Sequence, residues 1–203
     1  MRRVFVETNF LLELIFQQEQ ASGCEKILKA AELGNLSLLM PMYGLSEVFN
    51  KLRTAKHGRD EILTSTQEEI KRHRREADAD ADDMETLERL LRGMLLSRTA
   101  NQTERLFHIV ERFTRAAILI ALTPEIVLDG QQAFAESGLS LHDAMVFASV
   151  RQALSNEPEQ EECLFVSRDV AAFKATHIVQ ELQAYRCKYL NSFEAAANYL
   201  RLS

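Results

Sequence analysis

The apolar positions of this chain fall into short solid runs, separated by longer stretches in which apolar residues recur at helical spacing. Val4, Phe5 and Val6 form the first run; Glu7, Thr8 and Asn9 end it, and Phe10, Leu11, Leu12, Leu14, Ile15 and Phe16 follow at roughly helical spacing. A strand running straight into a helix is the first half of a βαβ unit, and the helix should start at Thr8 or Asn9, both good N-caps. A second helix is expected over 21–33, with Ile27, Leu28 and Ala31 inward and Gly34-Asn35 as its stop. Residues 36–40 read as a second buried strand closed by Pro41, and 43–56 as a helix with Leu45, Val48, Phe49 and Leu52 on one face.

Further strands are expected at 116–121, at 163–166 and near 186–190. Between the first two of these, Thr123-Pro124-Glu125 opens a helix with proline at its first position, carrying Ile126, Val127 and Phe134, and Ser137-Gly138 breaks it. Ser140 opens the next, with Leu141, Ala144, Met145 and Ala148 as its inward stripe, and a polar loop over 155–162 follows. A short helix lies between the last two strands, and one over 192–200 closes the chain. Strands alternating with helices predict an α/β domain with a mainly parallel central sheet flanked by helices.

From about 56 to 106 the pattern changes. The stretch is charge-dense, with Lys71-Arg72-His73-Arg74-Arg75 followed by an acidic run through Asp78, Asp80, Asp82 and Asp83, and it holds no proline. Leu87, Leu90, Leu91, Met94 and Leu95 make an amphipathic stripe. Two or three helices are expected, with a loop around 77–83, as a charged helical insertion within a single domain of 203 residues. Such charges ordinarily form a solvated helix face.

The net charge of -6 gives no overall attraction to nucleic acid, so a polyanion would need a local basic patch or bound cations. Cys24, Cys163 and Cys187 are far apart and odd in number, which argues against a disulfide framework or a cysteine zinc site and for a reducing compartment. Glu7 and Glu13 interrupt any signal-peptide core after Arg2 and Arg3, and no run approaches the roughly 18 apolar residues of a membrane span. A cytoplasmic location is the expectation.

Four acids take equivalent places in this pattern. Glu7 follows the first strand, Glu47 and Asp143 lie in first helical turns, and Asp169 follows the fourth strand in Ser167-Arg168-Asp169. In a parallel sheet the strand ends and the starts of the following helices share one edge, so these carboxylates can converge. Like charges gathered together oppose folding, and such a cluster is most stable around a cation. With hard oxygen donors alone the ion should be Mg²⁺ or Mn²⁺ rather than zinc, and it would activate a water and hold a phosphodiester for in-line attack. Each acid also has a local explanation. Asp143 can complete the cap begun by Ser140, Glu47 can complement a helix dipole, and Asp169 can be a turn residue. Glu7, directly after an apolar strand, has no such local reason.

At these residues the chain resembles the PIN-domain nucleases, the group that includes the VapC-type toxins. Strand-Glu7-Thr8-Asn9 is similar to the family's opening Asp-x-Asn/Ser signature, and PMYGLSEVFNKL resembles the segment carrying its second acid, on Glu47. LSLHDAMVFAS resembles the segment with the third acid, on Asp143, and LFVSRDVAAF the fourth-strand signature, on Ser167, Asp169 and Phe173. The resemblance covers the chain outside the insertion. It implies a PIN-like fold and a metal-dependent endoribonuclease, with Glu7, Glu47, Asp143 and Asp169 as catalytic metal ligands for one or two Mg²⁺ or Mn²⁺ ions. Asn9 and Ser167 would then orient ligands and water. An RNA substrate is implied, and for a toxin an antitoxin partner; other protein partners and a homodimer stay open. Two departures stand out. The family's first acid is normally Asp, and Glu7 is longer by one methylene, about 1.5 Å; the spacing from Ser167 to Phe173 is one residue longer than usual.

No GxGxxG, P-loop, HExxH or GxSxG occurs. His142 is expected to face solvent beside Asp143, and Arg168 to be an exposed turn residue or a phosphate contact. The rival from another class is a non-catalytic or weakly active PIN-like module that binds RNA or a protein. A phosphoacceptor domain ranks last, because Ser167-Arg168-Asp169 lacks the lysine that such a pocket needs.

Overall fold

The computed structural model describes residues 1–75, 81–156 and 163–202. The chain forms two compact units, one of Met1–Val48 with His108–Ser203 and one of Phe49–Phe107. The expected loops around 77–83 and 155–162 lie largely outside the described residues.

The first unit is built on five strands: β1 (Arg3–Val6), β2 (Ser37–Pro41), β3 (Ala117–Ile120), β4 (Cys163–Val166) and β5 (Cys187–Leu190). All neighbouring strands are parallel, in the order β3-β2-β1-β4-β5. In the centre Phe5 stands opposite Leu39 on one side and Phe165 on the other. Both faces of β1 and β4 are covered, which is why these strands read as unbroken apolar runs. Edge strand β3 is only partly covered, and Ile118 is exposed.

Helices α1 (Thr8–Phe16), α2 (Ala21–Glu32), α5 (Pro124–Ser137), α6 (Leu141–Ser155), α7 (Val170–Phe173), α8 (Thr176–Ala184) and α9 (Phe193–Tyr199) belong to this unit. Thr123 and Ser140 cap α5 and α6 as expected, and Gly34 and Gly138 adopt the left-handed backbone after α2 and α5. The first helix differs. Its N-cap is Glu7 itself, whose extended backbone and long side chain let the carboxylate fold back onto the N–H of Asn9. Where one short helix was expected between β4 and β5, there are two, α7 and α8.

Residues Ala144 to Val150 of α6 are buried all round, so this helix is a core element rather than an amphipathic one; Leu141, expected inward, is exposed. Phe134 of α5 and Phe49 are likewise exposed. Phe10 packs edge-on against Phe193 at 5.4 Å and tilted against Phe113 at 5.9 Å. Arg112 joins Glu25 and Glu32 of α2 with nitrogen–oxygen distances of 2.6 and 2.8 Å. Helix α2 sits so close to the start of α9 that a Cβ on Gly23 would lie 2.7 Å from the backbone nitrogen of Glu194.

Helices α3 (Tyr43–His73) and α4 (Ala81–Ala116) provide the second unit. They pair antiparallel: Arg59 donates to Thr99 at 2.8 Å and to Gln102, while Gln67 donates to Glu88 at 2.9 Å. Leu52, Arg59 and Ile70 of α3 and Leu95, Gln102 and Leu106 of α4 are buried. Of the expected α4 stripe, Leu95 is buried, whereas Leu87, Leu90 and Met94 are exposed. Within this unit a helix with one partner covers only a narrow seam, not the broad face a globular core would cover. No helix among the described residues is long and apolar enough to cross a membrane.

A candidate acidic site at the carboxyl edge of the sheet

Because every strand points the same way, the residues that follow β1, β2 and β4 emerge at one edge. Glu7 leaves β1 there, Glu47 lies in the first turns of α3 after β2, and Asp169 follows β4 by three residues. Asp143 is in the first turn of α6.

Glu7 is the buried member, at 5% exposure. Its Oε2 accepts from the backbone N–H of Asn9 at 2.7 Å, while Oε1 is buried with no hydrogen-bond partner. Burial pushes the carboxyl up to about 7; the Asn9 N–H and the nearby Ser167 and Asn9 side chains oppose the rise, and the charge of Glu47 adds to it. Ser167 is thus close to Glu7 without a hydrogen bond to Oε1.

The other acids are engaged locally. Ser140 donates from Oγ to Asp143 Oδ2 at 2.5 Å and accepts the Asp143 N–H at 3.2 Å. Asp169 Oδ1 caps α7 by accepting from the Ala172 N–H at 2.9 Å, and its own N–H donates to Ser167 Oγ at 3.0 Å. Glu47 Oε2 lies 2.7 Å from His142 Nε2, and the His142 ring packs against Tyr43 with centroids 5.1 Å apart. His142 is therefore half-buried against an acid rather than facing solvent as expected. Its position beside Asp143, one residue into a helix that starts at this edge, was the signal in the sequence that could have placed it here.

Two further residues were missed. The Tyr189 hydroxyl donates to the Ser167 carbonyl at 3.1 Å. Its pKa is pushed up to about 12, first by burial and then by the charges of Asp169 and Glu7, which places it beside both acids. Glu13, fully buried on α1, accepts from the Gln20 N–H at 2.8 Å and from Arg168. Arg168 is thus not a free turn residue: its guanidinium is held by Glu13 and fastens the turn between Ser167 and Asp169 to α1.

The expected four-carboxylate metal cluster is not drawn together. Among the described residues no three His, Cys, Asp or Glu side chains are gathered so as to hold a metal ion. Glu7 and Asp169 each turn an oxygen onto a helix N-terminus, Asp143 accepts from the Ser140 hydroxyl, and Glu47 turns to His142, an arrangement that keeps like charges from converging without a countercharge. The donor set nevertheless suits a hard divalent ion. It is all oxygen, and the orphaned Oε1 of Glu7 is a buried acceptor that lacks a partner.

The fold and its edge define a parallel α/β domain with acids placed where such sheets do their chemistry. A family model for the PIN domain matches residues 4–173, and the chain belongs to the PIN-domain family. PIN domains are generally nucleases and typically use divalent metal ions. Among curated proteins and among solved structures, none matches the chain.

Proposed function

We propose that the chain is a Mg²⁺- or Mn²⁺-dependent endoribonuclease that hydrolyses RNA phosphodiester bonds at the carboxyl edge of its sheet. The observation that carries this reading is the buried carboxylate of Glu7. One of its oxygens has no partner, and the charge of Glu47 already acts on it. Glu7, Glu47, Asp143 and Asp169 would hold the ion. When bound, the ion supplies Lewis acidity and a water made acidic enough to act as a nucleophile near neutral pH.

The chain's own groups prepare that edge. The Asn9 N–H fixes one oxygen of Glu7, and Ser167 holds the backbone of Asp169. Glu13 and Arg168 anchor the turn that carries both Ser167 and Asp169. Asp143 and Asp169 each have one oxygen in a cap contact and a second one to offer. Such pre-arranged polar contacts are what keep ligand carboxylates oriented. A cytoplasmic toxin, blocked by an antitoxin laid over the acidic edge, is the biological form this reading takes.

The test is cleavage of single-stranded RNA by the purified protein with Mn²⁺ or Mg²⁺. Glu7→Gln and Asp143→Asn should each abolish it, and EDTA should stop it. Cutting that survives EDTA or both substitutions overturns the mechanism. A second reading, a non-catalytic or weakly active PIN-like module binding RNA or protein, is favoured by one observation: among the described residues no three acids gather to hold an ion, and each is engaged by a cap contact or by His142. It wins if no RNA is cut and calorimetry detects no Mn²⁺ binding.

A further inference from the structure

Beyond the acidic residues, the same unit carries a groove of about 540 Å³ between α8 and the end of β5. Thr176, Val179, Gln180 and Gln183 line it at helical spacing along one face of α8, and Lys174, Tyr189, Leu190 and Asn191 complete it. The chemistry of this lining is specific. Gln180, Gln183 and Asn191 each carry an amide that can both donate and accept, and none of the three side chains makes a hydrogen bond within the described residues. All three are exposed, as is Lys174, which makes no ion pair among the described residues. The partly buried Tyr189 and Leu190 give a largely apolar floor.

Tyr189 joins the groove to the acidic edge. The residue that lines the groove also donates from its hydroxyl to the carbonyl of Ser167, two residues from Asp169. A ligand lying over Tyr189 is therefore next to the turn that presents Asp169. Paired amides read the edge of a nucleobase, an aromatic side chain such as Tyr189 accepts its face, and a nearby ammonium suits the phosphate that follows.

We infer that the groove between α8 and β5 is a nucleobase subsite for single-stranded RNA, with Gln180, Gln183 and Asn191 reading the base edge, Tyr189 and Leu190 under its face, and Lys174 on the adjacent phosphate. The subsite rests on the ribonuclease reading above for the identity of its ligand. It adds to that reading a source of base preference outside the acidic residues.

Binding can be read without cleavage. Fluorescently labelled RNA octamers of A, of U and of C are titrated with the full chain in EDTA, following anisotropy. The wild type should bind them with unequal affinity. Gln183→Ala combined with Asn191→Ala should weaken the preferred octamer by about tenfold, the loss expected for one base-edge contact pair, and level the ranking. Lys174→Ala should weaken all three alike and flatten the salt dependence. These residues are on the surface, and circular dichroism confirms that the variants fold. Octamers that do not bind the wild type, or that bind the double variant with unchanged affinity and ranking, overturn the subsite. With metal added, RNA that binds but is never cut removes the nuclease reading and leaves the subsite standing. RNA cut with unchanged KM and base preference in the double variant removes the subsite and leaves the nuclease.

Discussion

The guanidinium of Arg168, in the turn after β4, is ion-paired with the carboxylate of Glu13, which is fully buried in the middle of α1. The pair crosses the sheet edge between the element that follows Glu7 and the turn that carries Asp169. Removing one partner strands a buried charge, and a loss of 3–5 kcal/mol is usual for fully buried pairs. Arg168 is about one-third exposed, so the loss in Arg168→Met should fall at or below the lower end, about 2–3 kcal/mol in urea unfolding. Combining it with Glu13→Gln should recover part of the loss. Equal stability of wild type and Arg168→Met would show that the pair does not anchor the turn.

Glu7 makes the stability of the metal-free protein depend on pH. Its carboxyl is raised from 4.5 to about 7 by burial, so the folded chain holds this proton more tightly than the unfolded chain. The resulting stabilisation is fully present below the unfolded value of 4.5 and is lost as pH rises through about 7. Across that window it amounts to about 3 kcal/mol. In EDTA, unfolding free energy should therefore fall from about pH 5 to about pH 8. Glu7→Gln, which is neutral throughout, should remove most of that slope; an unchanged slope would place the titration elsewhere.

Divalent ions should act in the opposite direction. Binding requires the ionised carboxylate and releases its proton, so Mn²⁺ should raise the melting temperature more at about pH 8 than at about pH 5.5. The site is built around the longer side chain, with Glu7 both capping α1 and buried. Glu7→Asp withdraws the carboxylate by about 1.5 Å. We expect a drop of about tenfold to a hundredfold in RNA cleavage with the fold intact. A faster Glu7→Asp enzyme would show instead that the extra methylene is a handicap.

Gly23→Ala tests how α2 is seated. The added methyl would meet backbone atoms of Phe193 and Glu194 at 2.7 to 2.9 Å, and backbone cannot swing aside as a side chain can. A destabilisation of about 3 kcal/mol is expected, seen as a lower urea midpoint with an unchanged slope. A neutral result would mean that α2 and α9 separate easily.

Much of the fold could be read along the chain because a parallel sheet covered on both faces writes its strands as solid apolar runs. Val4-Phe5-Val6 and Cys163-Leu164-Phe165-Val166 are such runs, and the acid after each is plain once the strand is recognised. What stayed hidden depends on contacts between distant segments. Glu13 sits between two leucines and looks like any helix acid; only its pairing with Arg168, 155 residues away, explains its burial. Leu87, Leu90 and Met94 have core spacing and yet are exposed, because spacing states what a helix could cover and not whether a partner is present. The cap of α1 falls on Glu7 rather than on Thr8 or Asn9, since Glu is not an ordinary N-cap and only its backbone conformation and its bond to the Asn9 N–H identify it.

The strand order has a consequence for assembly. Strand β1 lies in the middle of the sheet, with β2 on one side and β4 on the other, although β4 is the fourth strand of the chain. Pairing of β2 with β3 must wait for the whole excursion through α3 and α4, and pairing of β1 with β4 must wait longer still. Closing such loops loses entropy before any contact repays it. The contacts within the α3–α4 hairpin are local to it, so it can form first and shorten the effective loop. On this view the second unit is a folding brace: its early formation would set how fast β3 finds its place, whatever else that unit does.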